Sequence, residues 1–506
     1  MISTATSTAR IANGNCSTCS YISGNIVVER YIPAVARRYR FLSSPMTSAA
    51  LSDWQNEIFV TGPGTGTTIG TTNSNGFDAT PTNSSSCFYY NENSSTWASP
   101  ADISYSFEKG KGYRIFIRGD NSDIGELSGV TTTQNEVTLD LNGAVNQGNV
   151  LMPVTYTSTA PSFVGWCLLG NPYPSSFDWH AYYLAGNTGT SGTHYANIGA
   201  SITIYNPTSG GYQSYNALTN SGTGQMNNNG IIPPGSAFWA QAISSNPSMT
   251  FTESFKVDVN AGIGLFKTNT NNFSVTLIKD SLNSDELVVN YISTASDEED
   301  VYDMIKMNGG EVNISSLTPT GKQLTGNSKP FNGLSDTIPL FITLKTEGNY
   351  KLLFKNATDL VAGKSIELLD SVTGNRIDLT KNTAYIYTPN TSTETLSHIT
   401  RFKLLIGCSS AITTGIFDAL PVAKTAYKVY PTITHSTTNV YCNNEKSNTT
   451  IKITDVSGRI IFYSTTAIGM TTPKEIDFSG YTSGLYLMTI TDLTSGISQT
   501  VKVIKE

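Results

Sequence analysis

Apolar and polar positions alternate with a period of two along most of this chain, in short runs broken by Gly, Asn and Asp. The run IVVERY (26–31) reads as the first strand, and Pro33 and the basic RRYR follow it. From 257 to 409 the strand-like runs are VTLIKD, ELVVNYIS, IPLFITLK, YKLLFKN, SIELLDS and RFKLLIG. The last block, 428–506, holds KVYP, TNVYCN, TTIKITD, GRIIFYST, KEIDFS, GLYLMTITD and QTVKVIKE, seven runs separated by D-x-S-G and S-G turns. Within 257–409 the acidic DEEDVYDMIKM (297–307) departs from the pattern and predicts a short surface helix. The expected fold is all-β: tandem β-sandwich-like domains ending in a seven-stranded immunoglobulin-like domain.

An ordered echo runs through the first half. RYRFLSSP, ending at Pro45, is matched by GWCLLGNP, ending at Pro172, and Trp54 and Trp179 follow at similar distances. FYYN (88–91) parallels TIYN (203–206), GKGYRIFI (110–117) parallels GSAFWAQA (235–242), and VTLDL (137–141) parallels MTFTE (249–253). Two copies of one β unit are therefore expected, at 26–157 and 158–256, with Tyr113 and Phe238 facing equivalent cores. The aromatic residues Tyr113, Phe238, Trp166 and Trp179 read as core or inter-copy packing rather than a ligand platform. The other expected segments are a linker tail at 1–25, a β-sandwich at 257–409, a linker at 410–427 and the terminal domain at 428–506.

Composition agrees with a folded β protein. Only 14% of residues are charged, while 43 Gly, 26 Tyr and 20 Phe supply turns and strand-forming rings. A length of 506 residues exceeds one hydrophobic core. The net charge of −7 gives no footprint for nucleic acid. No apolar run reaches the ~20 residues of a transmembrane helix. The opening MISTATSTARIANGNCSTC lacks a basic region followed by an apolar core, which fits either a cytoplasmic protein or a piece of a longer precursor; the composition resembles extracellular surface proteins and favours the piece.

Catalytic and metal patterns are not found, so the expectation is a non-enzyme without cofactors. Four His (180, 194, 398, 435) form no metal-ligating pair. G-x-S-x-G is absent, and GKS at 363–365 has Thr358 where a P-loop needs Gly. Cys16 and Cys19 form a C-x-x-C without a second pair, which favours a local disulfide or free thiols over zinc. Nothing in the sequence joins Cys167 to a histidine. RGD at 118–120 reads as a strand end and turn, and Asp120, Asn121 and Asp123 lack EF-hand spacing.

The last block resembles the type A sorting domain of proteins exported by the type IX secretion system of Bacteroidota. The resemblance is carried by KVYP (428–431), the D-x-x-G-R turn at Asp455, Gly458 and Arg459, IDFSGYTSGLYLMTI (476–490) and the terminal KVIKE. TITHST stands where that family usually has a second Pro and a Gly-containing turn. Carried over residue by residue, the resemblance marks Tyr430, Pro431, Asp455, Gly458, Arg459, Asp477, Gly484, Tyr486, Lys502 and Lys505 as the sorting signal. It implies passage through the periplasm, then recognition of 428–506 by an outer-membrane translocon and a shuttle protein, with delivery to the cell surface or exterior. VVERYIP, GKGYRIFIRG, GWCLLGNPYPSSFDW and the 257–409 block resemble modules that often precede such a domain. Asp280-Ser281-Leu282, Asp336-Thr337-Ile338 and Asp370-Ser371-Val372 resemble the Asp-Ser/Thr-apolar sites that Bacteroidota O-glycosylate in exported proteins, which implies candidate O-glycosylation at Ser281, Thr337 and Ser371. The function expected is a non-enzymatic, adhesin-like secreted or surface protein, with a surface glycan or host ligand as its candidate partner. The alternatives are the accessory part of a secreted hydrolase and a carbohydrate-binding module.

Overall fold

The computed structural model describes residues 1–5, 7–14, 20–34, 37–129, 134–186, 194–227, 230–258, 272–331, 335–360, 365–389, 395–397, 399–407, 427–442, 447–469, 472–493 and 498–506. The chain forms two compact units, Met1–Ser410 and Ala411–Glu506. Strands make up 47% of the structure and helices 6%, and burial follows the period-two pattern, as in Tyr113–Ile117, where alternate side chains are buried.

The first part of the larger unit contains two sheets with the same strand order. One runs Arg38–Leu42, Tyr113–Ile117, Cys87–Asn91, Thr96–Ala98. The other runs Trp166–Gly170, Ala237–Ala242, Ile198–Asn206, Gly211–Asn216, with Ser221–Gly222 added at its edge. Register agrees residue by residue. Leu42 stands opposite Tyr113 and Leu169 opposite Phe238. Phe88 pairs with Arg114 and Thr203 with Trp239. Tyr90 pairs with Trp97 and Tyr205 with Tyr212.

The sheets also join each other by reciprocal contacts. Leu42 bridges to Ser236 and Leu169 to Lys111. The Ser43 N–H donates to the Gly235 carbonyl at 3.0 Å, and the Gly170 N–H donates to the Gly110 carbonyl at 2.8 Å. Equivalent groups exchanging equivalent contacts define a local pseudo-two-fold relation, the self-complementary logic of a symmetric dimer within one chain.

Three apolar clusters fill this region. Leu42, Trp54, Tyr113 and Leu139 belong to one, and Leu169, Trp179, Phe238 and Phe251 to the second. Phe41, Trp166, Leu168 and Trp239 form the third, with Phe41 stacked on Tyr205 at 5.2 Å. Tyr113, Phe238 and Trp179 are thus core residues, and Trp166 packs between the sheets.

The boundary expected at 157/158 lies too late. Val150–Leu151 pairs with Ser248–Phe251 just as Ile26–Ile32 pairs with Val137–Gly143, so the second half starts by 150. The expected linker tail at 1–25 is, where described, laid against the body. Ile11 and Ile22 pack on the first core, the Ile11 N–H donates to the Pro174 carbonyl, and Arg10 pairs with Asp258.

Residues 273–406 form one continuous eleven-stranded sheet rather than the two sheets of a sandwich. It curls over its own apolar face as a half-barrel and encloses a single core with Phe273, Leu287, Ile342, Leu352 and Leu404. Curling lets one sheet bury both ends of its apolar face, which the strand pattern alone does not reveal. The acidic stretch is not helical. Its backbone turns through 298–302, and Met304–Ile305 joins the sheet beside Gln323–Lys329. Asp303 is buried there, and its carbonyl accepts hydrogen bonds from Ser201 Oγ (2.8 Å) and Asn216 Nδ2 (3.1 Å). These bonds tie the curled sheet to the second of the paired sheets within the larger unit.

The terminal unit, described from Tyr427, has a three-stranded and a five-stranded sheet. Seven of its strands are the expected runs, and a two-residue strand, Ile433–Thr434, is added. Val429, Val440 and Ile476 of one sheet pack with Ile451, Met488 and Val503 of the other. Tyr427, expected in the linker, is part of this core. The rest of that linker, 410–426, lies outside the described residues.

Candidate functional site

Strand ends, turns and the chain terminus gather the marked residues at one end of the terminal unit. Tyr427–Tyr430 ends there with Tyr430 opposite Asn439, and Lys474–Asp477 ends with Asp477 opposite Thr437. In the five-stranded sheet Asp455 stands opposite Tyr486, while Gly484 and Thr434 both pair with Lys505. Phe478 and Tyr486 join the two sheets at this end, their rings 5.7 Å apart. Tyr430, Pro431, Asp455, Gly458, Arg459, Asp477, Gly484, Tyr486 and Lys505 are thereby brought together. Lys502, opposite Leu487, lies farther along its strand.

Most of these residues shape turns. Asp455 accepts hydrogen bonds from Ser457 Oγ (2.6 Å), the Ser457 N–H (3.0 Å), the Arg459 N–H (3.1 Å) and Arg459 Nε (3.0 Å). The Ser457 hydroxyl, with those other donors, holds its pKa below the usual carboxylate value. Gly458 sits at φ +84°, a left-handed conformation that glycine adopts freely. Asp477 accepts from the Ser479 N–H at 2.7 Å, and Ser479 holds its pKa down in the same way. Tyr486 is buried and sends its hydroxyl back to the Thr482 carbonyl at 2.7 Å. The Pro431 carbonyl accepts from Thr438 Oγ1 at 2.5 Å. Tyr430, in contrast, is 66% exposed.

An apolar row, absent from the motifs, lies beside these turns. Ile504 pairs with both Ile433 and Leu485, and all three are exposed on the outer face of the five-stranded sheet. The signal was present in LYLMTI and KVIKE, where apolar residues occupy both parities of a strand instead of one.

The candidate modification sites fall on the curled sheet and are exposed. Ser281 occupies the tight turn between Phe273–Asp280 and Asn283–Tyr291, where Asp280 accepts the Leu282 N–H at 2.8 Å. Thr337 lies on a strand opposite Leu405. The Ser371 hydroxyl donates to the Arg401 carbonyl at 2.5 Å, and Asp370 beside it pairs with Arg401 in the interior.

No cluster of His, Cys, Asp and Glu suited to a metal occurs among the described residues. Burial pushes the Cys87 thiol up to about 12 and raises that of Cys167, so neither is a thiolate at neutral pH. Cys16, Cys19, Cys408 and His398 lie outside the described residues. In the RGD turn Gly119 is buried, and Arg118 lies over the Phe116 ring at 5.1 Å. No described helix is long and apolar enough to cross a membrane.

The turns that carry the ordered motifs all lie in a segment that a family model covers. The secretion system C-terminal sorting domain matches residues 428–506, which makes the chain a type IX secretion substrate with a C-terminal sorting domain. Residues 16–405 match a domain of unknown function, DUF8693, and the chain belongs to that family. No curated protein matches the sequence.

Among solved structures, PorZ, a surface component of the type IX secretion system of Porphyromonas gingivalis, is 13% identical over 33% of this chain and 21% of its own, with a TM-score of 0.13. Dimeric latent PorU from the same organism is 10% identical over 51% of this chain and 31% of its own, with a TM-score of 0.15. At these scores neither relative carries an argument about this chain.

Proposed function

We propose that residues 428–506 dock this protein on the type IX outer-membrane translocon and its shuttle protein through the motif-bearing end of the terminal unit. The observation that carries this reading is the convergence of nine marked residues on one end. The exposed row Ile433, Leu485 and Ile504 beside them adds apolar contact area of the kind a docking surface uses. Tyr486 fits the tyrosine corner of an immunoglobulin-like sandwich, bonding back near the start of its strand.

On this reading the DUF8693 region is a non-enzymatic, adhesin-like passenger delivered to the cell surface or exterior. The carbohydrate-binding alternative draws little support from tryptophan. Trp54, Trp166, Trp179 and Trp239 are buried, and Trp97 is capped by Arg114 at 3.9 Å. Ser281, exposed at a hairpin tip, is the best placed of the three O-glycosylation candidates.

Fusing residues 409–506 behind a folded periplasmic reporter tests the proposal in a host with this secretion system. The reporter is expected outside the cell, and its retention in the periplasm would overturn the assignment. Intact mass of protein from such a host is expected to carry added hexose, lost on Ser281→Ala.

A further inference from the structure

The duplicated strands differ at one position that packing does not explain. Arg30 stands opposite Leu139 in the first half, and Val150 stands opposite Phe251 in the second. Leu139 and Phe251 hold the same place in VTLDL and MTFTE, so Arg30 and Val150 are equivalent. Pro33 and Pro153 each follow three residues later, in the same register. Val150 is buried in its core. Arg30 lies between Val28 and Ile32, which pack on the first core, and strand alternation aims it the same way.

Arg30 meets a cavity there. Its walls are mostly apolar and include Leu42, Pro45, Trp54, Pro174 and Pro234. Ser43 also lines it, but its hydroxyl donates to the carbonyls of Asn171 (2.9 Å) and Ser236 (3.2 Å). Glu29 borders the cavity too, and its carboxylate accepts the Ser3 N–H at 3.0 Å. Among the described residues Arg30 has no ion pair and no side-chain hydrogen bond, although desolvation lowers its pKa. Arg30 is half-buried, and its guanidinium offers a planar fork of donors that no acceptor among the described residues takes up.

We propose that this cavity binds a small monocarboxylate, with the carboxylate on Arg30 and a short alkyl tail against Trp54 and the prolines. The bidentate fork favours a planar carboxylate over a spherical anion. The walls leave room for few further atoms, which sets the size. The half that carries Val150 has no such site.

Thermal unfolding of the full chain, titrated with sodium acetate against sodium fluoride at constant ionic strength, tests this. Acetate is expected to raise Tm saturably by a few degrees, as a ligand of the native state does, and fluoride to leave it unchanged. Arg30→Val, which copies the second half, should fold and lose the acetate response. Should it fail to fold, Arg30→Lys keeps the charge without the fork, and calorimetry is expected to show acetate binding weakened at least about tenfold. No saturable shift in the native protein, an equal shift in Arg30→Val, or undiminished binding by Arg30→Lys would overturn the site.

Discussion

Glu253 shows how a chain with few charges buries one. Its carboxylate accepts from the Gly148 N–H (2.6 Å), the Gly14 N–H (3.0 Å) and the Tyr21 hydroxyl (2.7 Å), and pairs with Lys256 at 3.3 Å. Burial by itself raises its pKa, but the bonds from Tyr21, Gly14 and Gly148 together with Lys256 outweigh it and hold the pKa below the usual value. The charged form is therefore favoured by folding, and that stability is lost as pH falls through the lowered pKa. Glu253→Ala strands Lys256 and the two N–H groups, and should cost about 3 kcal/mol in urea unfolding at pH 7.

Glu57 and Asp303 act in the opposite sense. Desolvation pushes both up to about 7, with Asp140 adding to the effect at Glu57 and Asp300 at Asp303. Their contribution is complete below the ordinary carboxylate pKa and fades as pH rises through about 7. Glu57→Gln should thus be more stable than the native protein at pH 8 and little changed at pH 4, as read by thermal unfolding at both values. The burial of these three carboxylates was not legible in the sequence, which placed Asp303 in a surface stretch. Each owes its environment to segments brought from far along the chain.

Among the elements, two strands start with the same device. Tyr350 donates to the Thr346 carbonyl at 2.5 Å and Tyr486 to the Thr482 carbonyl at 2.7 Å, each spanning four residues. Both tyrosines are buried, one at the curled sheet and one in the terminal core. The hydroxyl fixes the turn while the ring fills the core beneath it. Tyr486→Phe keeps the ring and removes the bond, and should destabilise the terminal unit by about 1 kcal/mol. Faster hydrogen exchange in Gly484–Asp492, with Phe273–Asp280 unchanged, would register that loss. Strands and turns of this kind were legible in sequence because both depend on local chemistry. The Asp455–Arg459 turn needs only a carboxylate, a hydroxyl and a glycine at fixed offsets. The curl of the 273–406 sheet was not legible, since curling depends on the twist accumulated over eleven strands.

For the molecule as a whole, each compact unit has apolar clusters of its own, and the segment between them shows no strand pattern in sequence. Limited proteolysis should therefore cut first between 408 and 427, releasing fragments that end and begin there. Early cuts within 273–406 or 447–492 would show the division to be wrong. By itself the sequence determined the strand class, the two echoing sets of strands and the motifs of the terminal unit, because these are written in neighbouring residues and a period of two. Tertiary structure decided where the second half begins, since Val150–Leu151 is too short to be recognised without its partner. It also decided that the marked terminal residues share one end, and that Arg30 faces a cavity where Val150 fills a core. Those outcomes depend on which distant segments meet, and that follows from sheet order and register once the chain has closed on itself.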